Sequence, residues 1–200
     1  MKNLVVAALA VLVLGNVARA ALVLHVPDIV LTESSQVQTG SFDVYVEETL
    51  GTEESLLSYN VGLRQVPGGI ATFTGIGPSS SEHPMVLNPT FLLDQTRNRA
   101  GSGYVEGQDL YVTNEAGAPV AISNGTRDGL FSVSYSIPAN TPAGTVIAIN
   151  IDPDATRLFN MDNRITYVAD HGSFTIVPVP EPASIGLALL ALPLLARRRR

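Results

Sequence analysis

Short segments in which apolar and polar residues alternate run through the middle of the chain. Residues 42–47 alternate in this way, and so do residues 59–64 and 130–137. Shorter segments at 146–151 and 174–176 continue the pattern. Because successive side chains of a β-strand point to opposite faces, a period of two predicts strands with one buried face. Between the two ends of the chain, no window of ten or more residues follows the 3.6-residue period of a helix.

Turn-forming residues separate these segments. Examples are Pro67-Gly68-Gly69, Asn124-Gly125 and Pro142-Ala143-Gly144, which combine residues that favour tight turns. Eight or nine short strands joined by such turns predict an all-β fold. We therefore expect one antiparallel β-sandwich domain over residues 21–177.

The N-terminal segment, residues 1–20, has the composition of a signal peptide. Lys2 is followed by an uncharged apolar run from Leu4 to Leu14, and Ala18 and Ala20 place small residues where signal peptidase requires them. The run is shorter than the roughly 20 residues of a spanning helix. Cleavage of this signal helix after Ala20 is the prediction, and an uncleaved N-terminal anchor is the alternative.

The C-terminal segment, residues 178–200, has three parts. A proline-rich stretch (178–182) precedes an uncharged apolar span (183–196) and an arginine cluster (197–200). As a helix the span is about 21 Å long, short of a hydrocarbon core of about 30 Å. Four arginines resist translocation, so the predicted orientation puts the domain outside the membrane and the arginines inside. An ordinary single-span anchor is the alternative.

This tail resembles the PEP-CTERM sorting signal of exported proteins in biofilm-forming Gram-negative bacteria. The resemblance rests on Pro180, Glu181 and Pro182, then the apolar span, then Arg197, Arg198, Arg199 and Arg200. It implies recognition and cleavage near the Pro-Glu-Pro by an exosortase, a membrane-embedded transpeptidase-like enzyme. The protein would then be held briefly in the inner membrane before it reaches the cell surface or the exopolysaccharide matrix.

A second resemblance concerns the domain. Residues 130–137, the link 138–144, residues 145–151 and residues 170–176 look like the last strands of cohesin-type domains. Residues 59–64, before a glycine-rich turn, resemble the early strands of that family. The resemblance implies a jelly-roll-like sandwich related to some carbohydrate-binding modules.

Charge narrows the range of partners. Residues 21–180 contain six arginines, no lysine and seventeen acidic residues, a net charge of −11. Such a surface repels phosphate backbones, so we expect no nucleic-acid binding. The chain has no cysteine, which excludes disulfides and thiolate chemistry.

Candidate chemistry in the domain is sparse. Asp152, Asp154 and Asp162 fall in one loop, and their spacing makes them weak candidates for calcium. An EF-hand is excluded, because the loop has Arg157 and Asn163 where that motif needs Gly and Glu. The sequence has no G-x-S-x-G, Walker or His-Glu-x-x-His motif. Tyrosines that could form a sugar-binding platform or pack in the core are Tyr45, Tyr59, Tyr104, Tyr111, Tyr135 and Tyr167.

Three functional hypotheses follow. The leading one is an exported, non-enzymatic surface or matrix protein, sorted through its tail and needing no cofactor. The alternative is a carbohydrate- or protein-binding module of cohesin type, whose partner would be an exopolysaccharide or a matrix protein. The third is a secreted hydrolase, which requires polar groups that converge in a pocket.

Overall fold

A computed structural model describes residues 22–180, apart from 52–53, 68, 86, 88–91, 94–101, 107–108 and 162. Within these residues all the regular elements are strands, as the alternating pattern predicts. This part of the chain includes no helix with the length and hydropathy needed to cross a membrane. The predicted signal helix and C-terminal span lie outside the described residues. The strands are β1 (Leu22–His25), β2 (Asp28–Thr32), β3 (Gln38–Glu48), β4 (Ser55–Val66), β5 (Thr72–Gly77), β6 (Leu92–Leu93), β7 (Ser102–Glu106), β8 (Asp109–Ala121), β9 (Arg127–Ile137), β10 (Val146–Ile151), β11 (Arg157–Phe159), β12 (Arg164–Ile165), β13 (Tyr167–Asp170) and β14 (Gly172–Val177).

The described strands form two sheets. Sheet A has the order β13-β1-β3-β9-β5. Sheet B has the order β2-β14-β10-β4-β8-β7-β6, and the β11–β12 hairpin joins it through β4. The five segments predicted from alternation correspond to β3, β4, β9, β10 and β14, so those strand predictions are confirmed.

One core fills the space between the sheets. Its aromatic centre brings Phe42 within 6.3 Å of Phe73 and 6.0 Å of Phe174, measured between ring centroids, and Tyr135 within 4.6 Å of Phe174. Full burial of a side chain of this kind contributes about 1.5–3 kcal/mol to folding. Around this centre lie buried aliphatic residues from both sheets, among them Leu22, Leu24, Val44, Val61, Leu63, Leu110, Val112, Val133, Ile147 and Ile149.

The two terminal segments of the domain cross between the sheets side by side. In sheet A, β1 runs parallel to β13, with Leu22 opposite Tyr167. In sheet B, β2 runs parallel to β14, with Asp28 opposite Ser173. Both sheets are therefore mixed, and the prediction of a purely antiparallel sandwich is wrong. Alternation shows which face of a strand is buried, but not which neighbour it pairs with.

The crossing point depends on Gly172. A Cβ atom built on this residue would lie 2.3 Å from the carbonyl oxygen of Pro27 and 2.6 Å from that of Val26. The amide of Val26 donates a hydrogen bond of 2.9 Å to the carbonyl of Asp170. The two segments thus touch backbone to backbone where they change sheets, and no side chain fits between them.

The strand count also differs from the prediction. The described residues form fourteen strands instead of eight or nine. The crossing divides each terminal segment into two strands. In addition, β6, β11 and β12 contain only two or three residues each, which is too short for a recognisable period.

Candidate functional site

The outward-facing side of sheet B carries an exposed apolar patch. Val30 of β2 lies opposite Thr175 of β14, which in turn lies opposite Val146 of β10. Two residues after Val146, Ala148 of β10 lies opposite Val66 of β4. Val30, Val146 and Val66 are 66%, 54% and 48% exposed. We call these five residues the valine patch.

An ion-pair cluster borders the valine patch. The register aligns Asn150, Arg64 and Asp109 across β10, β4 and β8. Arg64 Nη2 lies 3.1 Å from Asp152 Oδ2, and Arg64 Nε lies 3.5 Å from Asp109 Oδ2. Asp109 first, and then Asp152, raise the pKa of the Arg64 guanidinium. Two carboxylates thus orient a half-exposed cation beside the apolar patch.

Beyond Arg64 the same face is polar. Asn60 lies opposite Thr113 and Ser58 lies opposite Glu115 on β4 and β8. Tyr111 follows opposite Gly62, whose bare backbone is covered by Ala155 from the turn at residues 152–156. The outer face of sheet B therefore presents an apolar end with a fixed cation, and a polar end beyond the point that this turn covers. A surface of this kind suits a large partner more than a small molecule.

Of the acidic residues proposed for calcium, Asp152 has another role in the structure. Asp152 Oδ1 accepts a hydrogen bond of 2.9 Å from the amide of Asp154, and its Oδ2 faces Arg64. This arrangement closes the turn after β10. Asp162 lies outside the described residues. The remaining described residues include no group of three His, Cys, Asp or Glu side chains placed to hold a metal ion.

The residues predicted for sorting lie mostly beyond the described part of the chain. Ala18, Ala20, Glu181, Pro182 and the arginines 197–200 all fall outside it. Pro180 is its last residue, exposed and without regular structure. The sorting motif and the signal-peptidase site therefore stay predictions.

The tyrosines do not share one face. Tyr59 and Tyr135 are buried in the core. Tyr45 lies on the outer side of sheet A and Tyr111 on the outer side of sheet B, while the side chain of Tyr104 is outside the described set. The sugar platform considered from the sequence is not assembled by the five tyrosines whose side chains are described.

A charged cluster that sequence reasoning missed lies on the outer face of sheet A. His25 Nδ1 is 2.8 Å from Asp170 Oδ2, and His25 Nε2 is 3.0 Å from Glu47 Oε2. Arg127 Nε lies 3.2 Å from the same oxygen of Glu47. The imidazole itself is 10% exposed. The parallel pairing of β1 and β13 brings His25 to Asp170, and no local pattern signals that pairing.

A cleft of about 500 Å³ opens between β13, at the edge of sheet A, and the β11–β12 hairpin of sheet B. Ile151, Ile165 and Ala169 contribute apolar walls, and Arg164, Thr166 and His171 contribute polar groups. Tyr167 also lines it. The described residues that line the cleft include no carboxylate, so they do not supply the acid pair that a glycosidase needs.

Comparison with known proteins identifies the fold. A type I cohesin–dockerin complex from Clostridium thermocellum, Coh-OlpC with Doc435, matches with a TM-score of 0.57 and 12% identity, over 82% of this chain and 99% of that chain. The fold is cohesin-like. The chain is also similar to CaCohA2 from Clostridium acetobutylicum, with a TM-score of 0.55 and 12% identity over 79% of this chain and 92% of that chain. The third cohesin of ScaC from Acetivibrio cellulolyticus, solved with the ScaB dockerin, has a TM-score of 0.54 and 14% identity over 78% and 99%.

These identities establish a shared fold alone. No protein-family model and no curated protein matches the sequence. The cohesin-like resemblance of the late strands is thus confirmed as a statement about the fold. The cohesin-like domain places its valine patch, its ion-pair cluster and its edge cleft at three different positions on the sandwich.

Proposed function

We propose that the domain is a non-enzymatic protein-binding module of cohesin type, and that the outer face of sheet B is its binding surface. The observation that carries the proposal is the alignment of Val30, Val146 and Val66 on that open face. Similar solved domains support it, because several were determined as complexes with dockerins.

The apolar patch and the cation act together in this proposal. Burying the exposed halves of three valines contributes about 2–4 kcal/mol. Association costs at least about 4 kcal/mol in lost translational and rotational freedom, so the patch needs a further contribution. Arg64 is 53% exposed on its side chain and is already oriented by Asp109 and Asp152. An oriented arginine loses little conformational entropy on binding and is a frequent hot spot.

The experiment compares two exposed valines. Val146→Asp places a charge in the valine patch, whereas Val168→Asp places one on the outer face of sheet A. The two side chains are 54% and 53% exposed, which makes the variants a matched pair. The full chain and both variants are immobilised and incubated with the extracellular fraction of the native host. Retained proteins are identified by mass spectrometry, and the Kd of each is then measured by calorimetry.

We expect a protein that is retained by the wild type and by Val168→Asp but binds Val146→Asp at least about tenfold more weakly, since a buried charge costs more than 1.4 kcal/mol. Equal retention by the two variants contradicts the assignment of the surface. If no protein binds the wild type, the protein-binding proposal fails.

We further propose that the chain is exported and sorted through its two ends. The support is the sequence: the signal-peptide pattern of residues 1–20, and the Pro-Glu-Pro, apolar span and arginines of residues 178–200. Signal peptidase and an exosortase would process the two ends, with the domain outside the inner membrane before release to the cell surface or matrix. The described chain leaves β14 after Val177 into exposed residues, which is compatible with access by a protease.

Intact mass and cell fractionation in the native host test the sorting proposal. We expect a mature form outside the cell that lacks residues 1–20 and the segment after the Pro-Glu-Pro. Replacing Glu181 with Gln should leave the longer form in the inner membrane, and Glu33→Gln, a change of equal charge at the end of β2, should not. A wild-type protein that keeps its C-terminus in the membrane would show a plain anchor instead.

A further inference from the structure

Two arginines that have no acidic partner among the described residues lie beside the edge cleft. Four of the six arginines of the domain are in the described part of the chain. Of these, Arg64 and Arg127 lie within 4 Å of carboxylates. No described carboxylate lies within that distance of the other two, Arg157 and Arg164. Arg157 donates two hydrogen bonds of 2.6 Å to the carbonyls of Pro153 and Thr156, and Arg164 lines the cleft itself.

Both positive charges act on the same side chain of the cleft. Burial raises the pKa of the Tyr167 hydroxyl. A hydrogen bond with Thr156 and the charges of Arg157 and Arg164 lower this pKa, and the charge of Asp152 raises it by a smaller amount. Among the described residues, Asp152 is the carboxylate that acts on Tyr167, and Arg64 already faces it at 3.1 Å. In a domain with a net charge of −11, Arg157 and Arg164 therefore place two positive charges close to the Tyr167 side chain.

His171 adds an oriented donor to the wall of the cleft. Its Nδ1 accepts a hydrogen bond of 3.0 Å from the amide of Ile151. With Nδ1 acting as acceptor, the neutral ring carries its proton on Nε2. The cleft thus combines the Arg164 guanidinium, an imidazole N–H and the Tyr167 ring.

Most of the remaining wall is apolar. Ile151, Pro153, Ile165 and Ala169 complete most of the lining, and Tyr167 and Ala169 face inward from β13 but are only partly covered. The volume of about 500 Å³ is within the range of about 300–1,000 Å³ typical of small-molecule sites. Such sites combine apolar walls with a few polar groups that fix the orientation of the ligand.

We propose that this cleft binds a carboxylated sugar unit of an acidic saccharide. The carboxylate would face Arg164, and the apolar face of the sugar ring would lie against Tyr167 and the aliphatic walls. A planar guanidinium pairs well with a carboxylate, and aromatic rings offer a flat apolar surface to a ring-shaped ligand. An acidic peptide would supply the carboxylate but no rigid ring for those walls. The site is separate from the outer face of sheet B and goes beyond the protein-binding function.

The test uses three probes on the full chain: trigalacturonate, its fully methyl-esterified form and triglutamate. Calorimetry measures each Kd. We expect trigalacturonate to bind and the other two to bind at least about tenfold more weakly, because one lacks the carboxylates and the other lacks the rings. Failure of trigalacturonate to bind at millimolar concentration overturns the proposal. Comparable binding of the ester or of triglutamate also overturns it.

The matched variants are Arg164→Gln and Arg127→Gln, which remove the same charge from the two sites. Arg127 pairs with Glu47 on the outer face of sheet A. Arg164→Gln should weaken trigalacturonate binding at least about tenfold, while Arg127→Gln should leave it unchanged. If both variants lose the same affinity for trigalacturonate, the loss reflects the overall charge of the protein, and the proposed site is refuted. Val146→Asp should bind trigalacturonate like the wild type, which separates this site from the protein-binding surface.

Discussion

At the scale of single residues, Tyr59 shows how a polar atom is accommodated in the core. Its ring stacks on Phe131 with centroids 5.8 Å apart, and its hydroxyl donates a hydrogen bond of 3.1 Å to the carbonyl of Leu130. Burial raises the pKa of this hydroxyl well above its ordinary value, and a hydrogen bond with Asn114 opposes the shift only in part. Burial therefore favours the neutral hydroxyl in the folded domain.

The pH dependence of stability follows from that shift. Below pH 10 the hydroxyl is protonated in both the folded and the unfolded state. Above pH 10 only the unfolded state loses the proton, so the free energy of unfolding falls as the pH rises, by up to about 1.4 kcal/mol per pH unit. Tyr59→Phe should be about 1 kcal/mol less stable than the wild type at pH 7, because the Leu130 carbonyl loses its donor. At pH 11 this difference should vanish or reverse. Urea unfolding at both pH values measures it, and a constant difference would contradict the argument.

At the scale of elements, alternation predicted the strands that bury one face. It did not predict which strands lie next to each other in the two sheets. Val44 in β3 and Val133 in β9 alternate with more polar neighbours, and both face the core. That alternation is visible in the sequence. The parallel pairs β1/β13 and β2/β14 join residues more than 140 positions apart. No local pattern encodes such a contact.

The crossing of the terminal segments gives a prediction at this scale. Gly172→Ala would force a methyl group to within 2.3 Å of the Pro27 carbonyl oxygen. Since backbone atoms cannot turn aside as a flexible side chain can, we expect a loss of at least about 2 kcal/mol in the free energy of unfolding. Gly77→Ala in β5 is the control, because nothing lies within 4 Å of its added Cβ. Urea unfolding at pH 7 compares them, and equal stabilities would show that the crossing can yield.

At the scale of the whole molecule, the candidate sites depend on how the chain is brought together. The spacing of Asp152, Asp154 and Asp162 pointed to a metal, but Arg64, 88 positions from Asp152, faces the first of them. Likewise, Val30, Val66 and Val146 are isolated exposed residues in the sequence and form a patch only across the four strands β2, β14, β10 and β4. The sorting tail is the opposite case, because its signal is contiguous and could be read from residues 178–200 alone.

The side-by-side course of the terminal segments also determines how the domain would bear mechanical load. Leu22 begins β1 and Val177 ends β14, and both segments run in the same direction through the two sheets. A pull applied between these two residues acts along the strands in opposite directions. It therefore loads the hydrogen bonds of both parallel pairs in shear and all together, whereas peeling would break them one at a time. Traction on the ends of the domain is thus resisted by both parallel pairs at once.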